Sequence, residues 1–97
     1  MMSAPFSVRT TPRFDRLLKK LAPHHPDLPK HFAEAMAILQ EDPHNRTRAH
    51  PVRKLGGVAQ GEGQYRMRLG RWRFRYDIWG QEVVLNYCGL RREKTYR

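Results

Sequence analysis

Arginine alternates with large apolar residues in two adjacent segments, Tyr65-Arg66-Met67-Arg68-Leu69 and Trp72-Arg73-Phe74-Arg75-Tyr76. A period of two is that of a β-strand, whose successive side chains point to opposite faces. Gly70-Arg71, between them, suits a two-residue hairpin turn with glycine first. Closing that turn sets Leu69 opposite Trp72, Met67 opposite Phe74 and Tyr65 opposite Tyr76, so one surface is apolar. The other surface then carries Arg68 opposite Arg73 and Arg66 opposite Arg75, with cross-strand Cβ atoms about 5 Å apart. Like charges opposed in this way destabilise a sheet by about 0.2–1 kcal/mol per pair, and neither segment holds an acidic residue to relieve them. Arginine stems can shield a sheet while their heads stay hydrated, but an ordinary solvent face mixes signs or uses Thr, Lys and Glu. The crowding points instead to a pre-organised anion site, each guanidinium offering charge-assisted hydrogen bonds to phosphate oxygens. A hairpin bearing this array can hold a strand of RNA or DNA.

Cleaving RNA makes three demands: charge stabilisation at the phosphorane, a group to take the 2′-OH proton, and an acid for the leaving oxygen. Arginine meets the first and fails the second, because it is effectively always protonated. A base must come from outside the array. Tyr96, Glu93 and His50 are the nearest candidates, and the sequence does not rank them. The ending from Gly89 to Arg97 adds four basic residues and Tyr96. Following the last strand, it is either a frayed tail or a segment that swings beside the arginines, where Tyr96 could stack on a base for about 1–3 kcal/mol.

The rest of the composition agrees. Nineteen Lys and Arg against nine Asp and Glu give a net charge of +10 over 97 residues. Eleven of the basic residues, against four acidic ones, fall in residues 51–97, and nine of the eleven are Arg. Such a field draws polyanions by steering. Nucleic acid is the first candidate partner and an acidic protein the second; a membrane surface is disfavoured, since no basic amphipathic helix appears where the charge is densest. The length suits one domain over residues 1–97. No apolar stretch could span a bilayer and no charged-then-apolar leader opens the chain. Together with a single cysteine, Cys88, this sets the expectation of a cytoplasmic protein.

Several elements must position the array. Phe6 and Val8 share one face of a short first strand. Thr11-Pro12 reads as a helix start, and Phe14, Leu17, Leu18 and Leu21 form one helical stripe, ended by Pro23 and Pro26. Asp27-Leu28-Pro29 repeats the start signal ahead of Phe32, Ala35, Met36 and Leu39, and Asp42-Pro43 closes that helix. Residues 43–63 read as a long connector. Then come the two arginine strands and a continuous β-favouring run from Val83 to Cys88, after a turn at Trp79-Gly80. The expected fold class is α+β: two helices packed on one face of a small, largely antiparallel sheet, in the order β-α-α-β-β-β. The five histidines lack zinc-ligand spacing and Cys88 has no resolving thiol, so no metal or other cofactor is expected. Trp72 and Phe74 are expected in the core rather than as a stacking platform; Trp79, at a turn, is the aromatic whose exposure is open.

The run from His50 to Tyr96 resembles the RelE/ParE toxin superfamily of bacterial toxin–antitoxin systems, most closely its RelE-like messenger-RNA endonucleases. The matching marks are Arg53-Lys54-Leu55-Gly56-Gly57, the two alternating segments, Gly89-Leu90-Arg91-Arg92 and Tyr96. The resemblance implies a compact α+β toxin that cuts messenger RNA in the ribosomal A site, with the 2′-OH as nucleophile and without metal. Arg66 and Arg68 then look like the family's paired basic residues, and Arg73 like its phosphate-contacting arginine. Arg91 resembles its proton donor and Tyr96 the tyrosine that stacks on the substrate base. Arg53, Lys54, Arg75, Arg92 and Lys94 complete the expected RNA-binding set. Arginine stands at 66 and 68 where relatives more often have Lys, and Leu90 where many have His or Lys. The resemblance also implies a cognate antitoxin covering the basic face. Two alternatives stand beside this reading: a ParE-like inhibitor of DNA gyrase, which cleaves nothing, and a catalytically silent nucleic-acid-binding domain.

Overall fold

Thr11 opens the first helix as its composition demands. Its Oγ1 accepts a hydrogen bond from the Phe14 N–H at 3.1 Å, and Pro12 sits at the first helical position, where a missing N–H costs nothing. The computed structural model describes residues 5–91. Strand β1 (Ser7–Thr10) leads into helix α1 (Pro12–Leu21), a 3-10 turn over Ala22–His24, and helix α2 (Leu28–Glu41). Four strands follow: β2 (Val52–Lys54), β3 (Tyr65–Leu69), β4 (Trp72–Trp79) and β5 (Glu82–Leu90). They form one sheet in the order β1-β5-β4-β3-β2, with β1 parallel to β5 and the other pairs antiparallel. The α+β class, with both helices against one sheet face, is as expected. Neither helix is long and apolar enough to cross a membrane.

Two details depart from the sequence expectation. The element order gains a strand: part of the 43–63 connector becomes β2, paired with β3 through Val52↔Met67, Arg53↔Arg66 and Lys54↔Tyr65. Three residues are too few to show a period, and the segment is delivered to the sheet edge by its own loop. Asp42 accepts from the Arg46 and Thr47 N–H groups, while the Asn45 side chain exchanges hydrogen bonds with the His50 backbone. Asp27 also behaves differently. It makes no capping bond to α2; its carboxylate instead accepts from Arg71 Nε at 3.1 Å, Arg71 Nη2 at 3.0 Å and Trp72 Nε1 at 2.9 Å. A bidentate guanidinium competes well for a carboxylate, and the result is a clasp between the start of α2 and the β3–β4 turn. That turn closes as expected, Leu69 facing Trp72. Gly70 takes φ +60° there, and a Cβ on it would stand 2.8 Å from His31 Nε2, so both backbone and space require glycine.

The apolar surface of the hairpin meets the helices. Met67, Trp72, Phe74 and Tyr76 are fully buried with Phe14, Leu28, Ala35, Leu39, Val83, Leu85 and Cys88, each large side chain contributing about 1.5–3 kcal/mol by leaving water. Phe14 packs between Phe32 and Phe74, at centroid distances of 5.5 and 6.5 Å. The Tyr76 hydroxyl donates to the Pro43 carbonyl at 2.7 Å, tying the end of α2 to the middle of the sheet. Between Arg75 and Tyr76 the β4–β5 register shifts: Arg75 faces Tyr87 and Tyr76 faces Leu85, leaving Asn86 as an extra residue on β5.

Candidate nucleic-acid interface

On the sheet face turned away from the core, the outward positions of four strands line up in two rows. The first row is Arg53, Arg66, Arg75 and Tyr87; the second is Arg68, Arg73 and Gly89. Two depressions flank Arg66. One, of about 220 Å³, is lined by His50, Pro51, Val52, Arg53, Arg66 and Arg68. The other, of about 310 Å³, is lined by Leu55, Arg66, Arg73, Arg75, Tyr87 and Leu90. Arg66 is the wall common to both. Burial lowers the pKa of its guanidinium, as do the charges of Arg73, Arg68, Arg53 and Arg75, in that order.

No carboxylate among the described residues lies within 4.0 Å of Arg53, Arg66, Arg68, Arg73 or Arg75. Three acidic side chains are committed elsewhere: Asp27 to Arg71, Glu82 to Arg9, Asp42 to the loop after α2. Asp77 shares a face of β4 with Arg73 and Arg75, but its buried carboxylate accepts from the Gly63 and Gln64 N–H groups and from Asn86 Nδ2, at 2.8–2.9 Å. Burial works to raise that carboxyl's pKa, yet these hydrogen bonds outweigh it and hold the group below its ordinary value. The loop so anchored offers carbonyls to Arg75, Gly63 O at 2.9 Å from Nε and Glu62 O at 3.2 Å from Nη2. Arg66 and Arg73 are left otherwise. Their Nε atoms are buried and have no hydrogen-bond partner among the described residues. An unpaired buried donor costs about 1–3 kcal/mol, a cost that an acceptor oxygen reaching either Nε would remove.

No protein-family model matches the chain, and no curated protein sequence does. Among solved structures it is similar to the archaeal RelE-RelB complex from Pyrococcus horikoshii, with 23% identity over 92% of this chain and 98% of that chain and a TM-score of 0.67. The chain has the RelE fold.

Within this RelE-fold sheet the residues singled out from sequence fall into three groups. Arg53, Arg66, Arg68, Arg73 and Arg75 are brought together, Arg53 by the unforeseen strand β2. Lys54 and Arg91 are not part of the two depressions. Lys54 takes the opposite face of β2, its Nζ 5.9 Å from the centroid of the Tyr65 ring, because neighbours on a strand cannot share a face. Arg91 follows β5, its N–H donating to Arg71 O at 2.7 Å, and borders a third hollow with Leu17 and Leu21 that shares Tyr87 and Leu90 with the second depression. Arg92, Lys94 and Tyr96 lie outside the described residues, as does Glu93. Of the three candidate bases, His50 is described, and it stands in the wall of the first depression with Nε2 3.9 Å from Asp42 Oδ2. Tyr87 is the site residue that sequence reasoning missed. The continuous β-favouring run from Val83 to Cys88 gives it no facing; counted in twos from Val83 and Leu85 it would fall in the core, and the extra residue Asn86 sets it on the arginine face. Trp79 is about half exposed, at 48%, beside Gly61 and away from both depressions.

Proposed function

We propose that this chain is the toxin of a type II toxin–antitoxin pair, acting in the cytoplasm as an endoribonuclease on messenger RNA in the ribosomal A site. The observation that carries the reading is the unneutralised array itself, with the buried, unpartnered Nε atoms of Arg66 and Arg73 at its centre. A scissile phosphodiester supplies what these donors lack. As the 2′-oxygen attacks the adjacent phosphorus and the P–O5′ bond breaks, charge builds on the non-bridging oxygens, and pre-organised cations there act on the transition state. His50, at the edge of the first depression, takes the proton from the 2′-OH. Arg91 serves the 5′-oxygen, which gains a proton as it leaves, and Tyr96 stacks on the base. Positioning of the nucleotide by the ribosome relieves the protein of part of that task.

The antitoxin, on this reading, covers the same face with carboxylates. The similar archaeal structure is itself a complex of RelE with RelB. A co-expressed neighbour gene product is expected to protect Arg66 and Arg73 from an arginine-modifying reagent; binding without protection would overturn this assignment of its surface.

Incubating the purified protein with translating ribosomes and mapping transcript ends tests the activity. Codon-phased cuts, lost in Arg73→Ala, are expected. Intact messenger together with blocked DNA supercoiling would replace the nuclease by a gyrase inhibitor, and intact messenger with retained RNA binding by a silent binding domain.

A further inference from the structure

Every polar side chain lining the second depression is a guanidinium, except that of Tyr87. The difference is chemical. Guanidinium groups only donate hydrogen bonds, whereas a phenol oxygen also accepts them. A phosphate needs donors alone; a ribose 2′-hydroxyl, which donates as well as accepts, is the feature by which a protein tells RNA from DNA. Resting on the reading that the array binds nucleic acid, we propose that the Tyr87 hydroxyl accepts a hydrogen bond from a ribose 2′-OH and gives the array its preference for RNA.

Three observations fix the hydroxyl in that role. The extra residue at Asn86 turns Tyr87 out of the core to stand opposite Arg75. Gly89, facing Arg73, leaves room for the ring to lie along the strand: a Cβ on Gly89 would be 2.8 Å from Tyr87 Cζ and 3.1 Å from Cε2, and would collide with the hydroxyl. The phenol oxygen is thereby directed toward the Arg73 end of the depression. Arg13, from α1, places its Cζ 5.3 Å from the ring centroid, a cation–π contact that holds the ring. Arg13 lies against the ring and Gly89 beneath its hydroxyl end, and the hydroxyl makes no hydrogen bond among the described residues, so its hydrogen-bonding capacity is left to a ligand.

The test compares a short single-stranded RNA with the DNA of the same sequence, by fluorescence anisotropy across a salt series. Tyr87→Phe keeps the ring and removes only the oxygen. It is expected to weaken RNA binding about fivefold (about 1 kcal/mol, as RT ln 5) and to leave DNA binding and the salt slope unchanged, since no charge is lost. Gly89→Ala, which displaces the ring, is expected to narrow the RNA-over-DNA ratio likewise. Arg66→Ala serves as the contrast: it should weaken both nucleic acids and lower the salt slope by about 1. If Arg66→Ala has that effect while Tyr87→Phe binds both as the parent does, or loses both equally, the inference fails and the array reading stands. If the parent binds neither nucleic acid, both fall.

Discussion

Arg66→Met is expected to stabilise the fold while removing its function. The methionine keeps a flexible apolar stem of similar reach, so the packing that the arginine methylenes provide is largely retained. What disappears is a cation with like charges directly opposite on both sides, Arg53 on β2 and Arg75 on β4, and a buried Nε without a partner. At about 0.2–1 kcal/mol per opposed pair, relief of the two repulsions amounts to about 0.5–2 kcal/mol. For a domain of this size each kcal/mol moves Tm by about 4–8 °C, so a rise of several degrees is expected in low-salt buffer. The gain should shrink at high ionic strength, because the screening length falls from about 10 Å at 0.1 M to about 3 Å at 1 M. Thermal melts followed by circular dichroism at the two salt concentrations provide the measurement, with RNA binding of the same samples as the functional readout. A variant that melts at or below the parent in low salt, or whose gain is indifferent to salt, would refute the claim that the array is held together against its own repulsion.

Arg73→Ala and Arg91→Ala, expressed at equal levels, are each expected to abolish growth arrest while the protein stays folded by circular dichroism; unchanged toxicity in both would remove them from the site. Asp27→Asn breaks the clasp between α2 and the β3–β4 turn. Hydrogen bonds from Arg71 and Trp72 hold the Asp27 carboxyl well below the usual carboxylate range, so its contribution is complete above pH 3.8 and is lost as pH falls through the depressed value. The variant should melt lower than the parent at neutral pH, and the gap should close in strong acid. Asp77→Ala leaves the Gly63 and Gln64 N–H groups without their acceptor; a loss of about 2–4 kcal/mol and faster amide exchange at those two residues are expected. Burial pushes the Cys88 thiol up to about 11 and closes it to solvent, so at pH 8 alkylation should be slow in the native protein and fast after unfolding, as mass spectrometry would show.

The apolar and basic faces of the hairpin were both legible because two independent signals agreed. Period-two alternation set which side chains share a surface, and glycine at 70 set the turn, hence the register. From these follow Arg66 opposite Arg75, Arg68 opposite Arg73 and the burial of Trp72 and Phe74, all present in the structure. The helix starting at Thr11-Pro12 was equally local, since a cap acts within one turn. Asp27 shows the limit of such signals: its sequence setting is that of a cap, but Arg71, 44 residues away, offers a stronger partner.

Sequence alone determined that guanidinium groups would crowd one face of a β-hairpin, because strand periodicity and turn chemistry act between near neighbours. Tertiary structure decided which other groups join them. The three-residue strand β2 brings Arg53 beside Arg66 and the loop before it sets His50 in the same hollow, both through pairing at a sheet edge that no local period announces. A single extra residue at position 86 inverts the facing of β5 and exchanges Tyr87 and Cys88 between core and array. A bulge is a compromise between two strands over register, and its position is written in their packing rather than in either segment read by itself.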